Sequence, residues 1–310
     1  MIIPQALNKG DNVAVICPAT GGSEKERENA RRNLENIGLN PVFFPSCYEE
    51  HGYLAGSDER RLKDLTDAFS DPEMKAVICL RGGYGCPRFL ADIDYDIIRK
   101  NPKHFLGFSD ISVIHTAINQ LCGQMTIHGS MPSVSWERSG DSIYMSTERC
   151  LFGFPEGPLE NPPGKDFSCF IPGKAEGLVC GGNLSRIVAT LGSPYEIDTR
   201  GKLLFIEEIG EMAEDIDLMM MSLALAGKLR DCAGVILGYI VDCENTTYRA
   251  SLSTDTLFRE ILEPYGKPVI RGLCSGHDFP FVSFPLGAWA EMDAESGIIS
   301  FSREKTESAE

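Results

Sequence analysis

A serine stands where an apolar, strand-like stretch meets a helical pattern, in the segment Gly107-Phe108-Ser109-Asp110. A tight turn at the end of a strand exposes a hydroxyl, and the first N–H groups of the next helix point toward negative charge that develops on a substrate oxygen. This placement predicts that Ser109 is a nucleophile. The alternative is an ordinary helix cap, in which Ser109 or Asp110 accepts hydrogen bonds from backbone N–H groups.

A serine nucleophile needs a base, and the chain contains five histidines. His115 lies six positions along the helix after the serine, on another face, and His104 begins a strand instead of ending it. His51 lies in a polar loop. His128 and His277 each follow an apolar segment and adjoin glycine, so the sequence keeps both as candidates for the base. The alternative for each is the structural role that most loop histidines have.

The third member of such a site is a carboxylate, which accepts a hydrogen bond from the imidazole and stabilises the imidazolium. Glu207 follows the apolar strand pattern of residues 202–206 and is suitably placed for this role. Glu208 is expected to point to the opposite face, because successive side chains of a strand alternate. For either glutamate the alternative is a solvent contact at the end of the strand.

A glycine-rich segment, Arg81-Gly82-Gly83-Tyr84-Gly85, follows another apolar strand pattern. In open parallel sheets, ligands bind beyond the carboxyl ends of the strands, so this segment and Ser109 are expected to share one crevice. Glycines let backbone N–H groups approach a ligand closely. The alternative is a plain turn, which glycine pairs often mark.

The elements that must position these residues alternate between strand and helix patterns in the first third of the chain. This alternation predicts an α/β fold with a mostly parallel sheet and helices on both of its faces. Ser23 and Glu26 form a capping box at the start of one helix. After the serine turn, apolar residues recur at helical spacing, namely Ile111, Ile114, Ile118 and Leu121.

The chain of 310 residues is long enough for two domains. Periodicity fades between 133 and 174, where prolines and glycines accumulate, as is typical of a linker. We therefore expect an N-terminal α/β domain over 1–135, a linker over 136–174 and a C-terminal domain over 175–303. A solvated tail is expected over 304–310.

Composition excludes several classes of partner. The formal net charge of −16 disfavours nucleic acid and anionic membranes, whose binding depends on Lys and Arg. The sequence shows neither a basic leader nor an apolar run of membrane-spanning length, so a cytoplasmic protein is expected. The 11 cysteines contain no C-x-x-C pair, which predicts buried thiols in a reducing compartment and no bound metal.

Several separated motifs resemble, in the same order, those of the LD-carboxypeptidases, the S66 serine peptidases. The resemblance covers nearly the whole chain. The motifs are, in chain order, Arg81-Gly82-Gly83-Tyr84-Gly85, Asp94-Tyr95-Asp96, Asn101-Pro102-Lys103, Gly107-Phe108-Ser109-Asp110, Gly181-Gly182-Asn183-Leu184, Leu204-Phe205-Ile206-Glu207-Glu208, Gly276-His277 and Pro285-Leu286-Gly287.

The resemblance implies a fold, a site and an activity. The fold is a flavodoxin-like or amidotransferase-like N-terminal α/β domain with a doubly wound, mostly parallel sheet, and a smaller, swivelling, β-rich α+β C-terminal domain. The implied triad is Ser109, Glu207 and His277, formed between the domains and often in a homodimer, and it selects His277 over His128. The implied activity is removal of the terminal D-alanine from cytoplasmic murein tetrapeptides in cell-wall recycling, with no metal or cofactor.

With that triad, His277 is expected to take the proton of Ser109 as the hydroxyl attacks the peptide carbonyl. The backbone N–H of Asp110 and one from Gly82 or Gly83 are expected to hold the oxyanion. Arg81 is a candidate to bind a substrate carboxylate, and a structural salt bridge is its alternative role.

Two other functions remain open. Microcin C immunity peptidases use the same type of triad to cut an amide of an acyl-sulfamoyl nucleotide, so the triad does not separate them from carboxypeptidases. The second is a nucleotide-binding module without hydrolytic chemistry. It is weakly supported, because Pro18-Ala19-Thr20-Gly21-Gly22 stands where a dinucleotide-binding G-x-G-x-x-G motif would follow the first strand.

Overall fold

The computed structural model describes residues 1–134, 136 and 142–303. Its described part divides into two compact units. The first comprises Met1–Phe154 and Pro280–Gly287, and the second comprises Pro155–Phe279 and the chain from Ala288 on. The predicted tail, 304–310, lies outside the described residues.

The first unit is built on a six-stranded sheet with the strand order β12-β5-β4-β3-β1-β2, numbered along the whole chain. Five strands are parallel, and β12 pairs antiparallel with β5 at one edge. Its strands are β1 (Asn12–Ile16), β2 (Asn40–Phe43), β3 (Met74–Cys79), β4 (His104–Gly107), β5 (Thr126–His128) and β12 (Phe284–Leu286).

The described residues of this unit form five α-helices. They are α1 (Glu24–Asn36), α2 (Asp58–Ser70), α3 (Tyr95–Lys100), α4 (Ser112–Ala117) and α5 (Ser142–Leu151). The predicted capping box is confirmed, since the Ser23 side chain and the Glu26 side chain each accept from the other's backbone N–H at the start of α1.

The helical region after the serine turn is less regular than the spacing predicts. A 3₁₀ turn over Ser109–Ile111 leads into α4, which continues as a π-helix over Ile118–Cys122. Leu121, expected on the buried stripe, is exposed. A π-turn has more residues per turn than an α-helix, so it shifts the register of the side chains that follow.

Helix α5 lies inside the stretch that the sequence assigns to a linker, 136–174, and it falls in the first compact unit. Its buried side chains are spaced as on one face of a helix. They are Ile143, Thr147, Cys150 and Leu151. Within 136–174, all the prolines and every glycine except Gly140 come after this helix.

The second unit contains an eight-stranded mixed sheet with the order β6-β14-β13-β8-β9-β10-β11-β7. Strands β8 to β11 are parallel, and the other four pair antiparallel with their neighbours. Its strands are β6 (Gly157–Pro158), β7 (Ser168–Ile171), β8 (Lys174–Asn183), β9 (Leu203–Ile209), β10 (Gly234–Val241), β11 (Val269–Arg271), β13 (Trp289–Asp293) and β14 (Ile298–Ser302).

Helices α6 (Leu184–Ala189), α7 (Ala213–Leu225), α8 (Lys228–Asp231) and α9 (Thr254–Leu262) complete the second unit. Its apolar core includes Leu204 and Ile206 of β9 and Met220 and Leu223 of α7. The predicted fold class is confirmed: an α/β fold with a mostly parallel sheet and a second, β-rich unit.

Within residues 1–134, 136 and 142–303, no helix is both long enough and apolar enough to span a membrane.

Ten cysteines are buried, whereas Cys169 on β7 is exposed, so the prediction of buried thiols is wrong for that residue.

Candidate active site

Ser109 occupies a strained turn at the carboxyl end of β4. Its φ angle is 65°, and within 1–134, 136 and 142–303 only Asp242 shares a positive φ among residues other than glycine. Such a conformation costs about 1–3 kcal/mol and is found mainly at functional sites. Phe108, not Ser109, occupies the N-cap position of the 3₁₀ turn, and no side chain caps that turn. Of the two side chains considered as acceptors, Asp110 accepts a backbone N–H, that of Cys86.

The glycine-rich segment lies against this serine. A Cβ atom on Gly82 would stand 3.0 Å from Ser109 Cβ and 3.3 Å from Ser109 Oγ. At Gly83 the φ angle is +120° and a Cβ would stand only 2.1 Å from Thr20 Oγ1. Both positions therefore need glycine, one for close approach to the serine and the other for its backbone conformation as well.

Asp110 and Arg81, two further predicted site residues, each bind a group outside the serine turn. The Asp110 side chain is fully buried, and its Oδ2 accepts a hydrogen bond from the Cys86 N–H at 2.8 Å. Arg81 forms an ion pair with Glu26 at 3.1 Å, and the same nitrogen lies 3.4 Å from the carbonyl oxygen of Gly21. The structural salt bridge considered for Arg81 is thus present.

Glu207 and His277 meet in the second unit. His277 Nδ1 donates a hydrogen bond to Glu207 Oε2 at 2.7 Å, across 70 positions of sequence. The Glu207 side chain is fully buried, and 18% of the His277 side chain is exposed. Gly276 makes this approach possible, because its φ angle is +129° and a Cβ there would stand 2.8 Å from Glu207 Oε2.

The pair perturbs its own ionisation. Burial raises the pKa of Glu207, and the hydrogen bond from His277 only partly offsets this. Burial alone would lower the pKa of His277, but the hydrogen bond and the charge of Glu207 outweigh it and raise that pKa above 6.5. An imidazole tuned in this way, with Nδ1 held by a carboxylate, is oriented to accept a proton at Nε2.

Glu208, the neighbour of Glu207, has different partners. Its carboxylate accepts hydrogen bonds from the Asn183 side chain at 2.8 Å and from the Ser185 N–H at 2.6 Å. Asn183 also caps α6 through its side-chain oxygen. Both glutamates lie within β9, which continues to Ile209, so the expected end of this strand before Glu207 is wrong.

His128, the other candidate base, lies in an aromatic cluster of the first unit. It is fully buried, and its ring centroid lies 5.2 Å from that of Phe284, 5.6 Å from that of Phe108 and 5.9 Å from that of Phe281. These contacts give the His128 ring the surroundings of a packed core side chain.

Two of the remaining histidines are also buried, and His51 is exposed. Burial lowers the pKa of His104 and of His115 to about 4. His115 Nε2 lies 2.9 Å from the carbonyl oxygen of Gly107 and so supports the strand end that precedes the serine. Within the part of the chain that the structure describes, no group of three or more His, Cys, Asp or Glu residues is arranged to hold a metal ion.

Sequence reasoning assigned no role in the site to Thr20, Arg61 or Gly276. Thr20 and Arg61 contact the glycine-rich segment, and Gly276 lets His277 reach its glutamate. A signal existed for Gly276, which directly precedes a candidate histidine. Arg61 carries no such signal, because it resembles an ordinary charged residue of a surface helix.

Comparisons with known proteins match both the N-terminal and the C-terminal part of the chain. Residues 13–129 match the family model of the LD-carboxypeptidase N-terminal domain, and residues 176–292 match that of the LD-carboxypeptidase C-terminal domain. The chain is 42% identical over 301 residues to a probable murein peptide carboxypeptidase of Bacillus subtilis (strain 168), covering 94% of this chain and 91% of the relative.

Two solved structures are similar at 25% sequence identity. An MccF-like protein from Bacillus anthracis str. Ames superposes with a TM-score of 0.88, covering 98% of this chain and 100% of the other. A muramoyltetrapeptide carboxypeptidase from Oxalobacter formigenes superposes with a TM-score of 0.79, covering 94% of this chain and 97% of the other.

Proposed function

This chain belongs to the LD-carboxypeptidase family, the S66 peptidases, and we propose that it is a serine carboxypeptidase that releases the terminal D-alanine of murein tetrapeptides. The bond cut is the L-to-D peptide bond before that alanine. The observation that carries the chemistry is the hydrogen bond between His277 Nδ1 and the buried Glu207 carboxylate. It supplies a base with a defined orientation.

In the proposed mechanism, Ser109 Oγ attacks the carbonyl carbon while its proton passes to His277 Nε2. Glu207 keeps the imidazole ring in place and stabilises the imidazolium. The tetrahedral intermediate collapses to an acyl-enzyme, and His277 returns the proton to the departing amine of D-alanine. Water then repeats the attack and frees the tripeptide. The proposal requires Ser109 and His277 to act on the same peptide bond.

Backbone N–H groups hold the oxyanion in this proposal. The donors are the N–H of Asp110 and one from Gly82 or Gly83, the glycine that stands against the serine being Gly82. A single donor of this kind is typically worth about 3 kcal/mol of the barrier. Arg81 is retained as a candidate for binding a substrate carboxylate, which would require it to exchange its pairing with Glu26.

The substrate class is supported by the printed names of two similar proteins, a probable murein peptide carboxypeptidase and a muramoyltetrapeptide carboxypeptidase. We further propose that the protein acts in the cytoplasm, as a homodimer, in cell-wall recycling. The resemblance of its motifs to the family supports these three points.

A second candidate is a microcin C immunity-like peptidase, because an MccF-like protein superposes with a TM-score of 0.88. Its fold is shared by both activities, so fold similarity does not choose between them. The 42% identity to a relative named for murein peptides favours the carboxypeptidase.

The deciding experiment offers the purified protein both substrates. Defined tetrapeptides ending in D-alanine, with diaminopimelate or lysine at the third position, are incubated in parallel with an acyl-sulfamoyl nucleotide. Release of free D-alanine is expected, with little cleavage of the nucleotide. Preferential cleavage of the nucleotide would establish the second candidate. Nucleotide binding without turnover of any of these compounds would indicate a binding module.

A further inference from the structure

The glycine-rich segment of the first unit is held from several directions. On one side Thr20 contacts it twice: its N–H points to the Gly82 carbonyl oxygen at 3.4 Å, and its Oγ1 accepts from the Tyr84 N–H at 3.2 Å. Thr20 lies in the loop after β1, so the loops that follow two neighbouring parallel strands are tied together.

Arg61 of α2 holds the far end of the segment. Its side chain is fully buried, and its Nη1 donates to the carbonyl oxygens of Gly85 at 2.9 Å and Pro18 at 2.8 Å. Its guanidinium also pairs with Asp58 and lies 5.1 Å from the ring centroid of Phe89. A planar guanidinium that makes several hydrogen bonds in this way fixes the backbone that it contacts.

The remaining anchor comes from the serine turn itself. The carboxylate of Asp110 accepts the N–H of Cys86, the residue that directly follows Gly85. This carboxylate is fully buried. Removing a carboxylate from water costs several kcal/mol, so its place here needs a compensating role. A short aspartate side chain has few rotatable bonds and therefore sets a nearly fixed distance between the two backbones that it joins.

We propose that the Asp110 side chain is a positioning residue for the oxyanion hole. It ties the glycine-rich segment to the serine turn, so that the N–H of Asp110 and the N–H donor of Gly82 or Gly83 keep one spacing. The inference rests on the proposed function, because it gives those N–H groups the task of binding the oxyanion. What it adds is a role for the carboxylate, which touches no reacting atom and acts through Cys86.

The Cys86 thiol itself does not serve as a nucleophile in this arrangement. Burial raises its pKa well above 9.0, and the nearby Asp110 charge raises it further. A side-chain hydrogen bond to Asp110 acts in the same direction, so the thiol stays protonated and adds to the tie that the backbone N–H of Cys86 makes with this carboxylate.

The test measures the release of D-alanine from a tetrapeptide by variants of Asp110. Asp110→Ala removes the acceptor and is expected to lower kcat about 100-fold while KM changes by less than about threefold, since a displaced oxyanion donor acts on the transition state. Asp110→Asn retains a carbonyl oxygen at the right distance and is expected to stay within about tenfold of the wild-type kcat. Asp110→Ser replaces the alanine variant if that variant does not fold.

Asp64→Ala is the matched control. Asp64 is also buried in the first unit and also accepts a backbone N–H, that of Ser46 at 2.6 Å, but it does not contact the glycine-rich segment. Its loss is expected to lower the melting temperature and to leave kcat within about threefold.

If the wild-type protein releases D-alanine, three results would overturn the role of the Asp110 side chain and leave the proposed function standing. They are an Asp110→Ala kcat within threefold of wild type, an Asp110→Asn kcat as low as that of the alanine variant, and an equal loss in Asp64→Ala. Absence of D-alanine release by the wild-type protein would instead overturn the proposed function, and the inference with it.

Discussion

Replacing Glu207 by glutamine isolates the charge of the carboxylate, because the glutamine side chain has the same shape and can still accept a hydrogen bond from His277 Nδ1. In the wild-type protein that carboxylate is fully buried and the hydrogen bond is 2.7 Å long. The charged acceptor is what raises the pKa of His277 in spite of burial. The variant keeps the burial and loses the charge.

The size of the effect follows from these contacts. A hydrogen bond to a charged partner contributes about 1.5–3 kcal/mol, and about 1.4 kcal/mol corresponds to a factor of ten. The imidazolium forms only as the serine is deprotonated, so this stabilisation acts on the transition state. The glutamine retains a neutral hydrogen bond worth about 0.5–1.5 kcal/mol, so the net loss is about 1–1.5 kcal/mol. We therefore expect Glu207→Gln to lower kcat/KM by about 5- to 13-fold on the alkaline side of the profile.

The pH profile gives the sign. His277 must be neutral to accept a proton, so kcat/KM of the wild-type protein falls as the pH drops through the pKa of His277, which is raised above 6.5. In Glu207→Gln, the charge of Glu208 still raises that pKa, but the larger contribution from Glu207 is lost, so burial lowers the pKa and the acidic limb moves to lower pH. The measurement is D-alanine release between pH 4.5 and 9. An unmoved limb, or one that moves to higher pH, would refute the assigned role of Glu207.

Two further variants test the surroundings of the serine. His128→Ala is expected to lower the melting temperature, because it opens a cavity among stacked aromatic rings. Its kcat is expected to stay within about threefold of the wild-type value. A loss of kcat as large as that of His277→Ala would make His128 a candidate for the base again. Gly83→Ala is expected to lower kcat/KM by 100-fold or more, since a Cβ would stand 2.1 Å from Thr20 Oγ1 at a φ of +120°. Gly10→Ala, at a φ of +92° with open space around it, is the control, and an equal loss of kcat/KM there would show that backbone strain alone explains the result.

Local patterns predicted the elements of this protein well. The period of two along β9 predicts different surroundings for Glu207 and Glu208, and the structure pairs Glu207 with His277 and Glu208 with the Ser185 N–H. The capping box of α1 and the cap at Asn183 follow from side chains close in sequence to the N–H groups that they satisfy. Such signals are local, and a local signal can be read without the fold.

What the sequence could not supply depends on contacts between distant segments. The residues alone did not choose between His128 and His277, because the choice depends on a ring stack in one unit and a hydrogen bond over 70 positions in the other. The π-helix after α4 and the burial of Arg61 are likewise set by tertiary packing. Helix α5 was not predicted, because the prolines and glycines that follow it dominate the composition of the region assigned to a linker.

The central claim is that Ser109 is the nucleophile, and D-alanine release by Ser109→Ala tests it most directly. The substitution removes one oxygen atom from a turn whose backbone is held by the surrounding segments. We expect the rate of release to fall by at least about 10⁴-fold while the melting temperature stays close to that of the wild-type protein. Release by the variant within tenfold of the wild-type rate would contradict the serine mechanism.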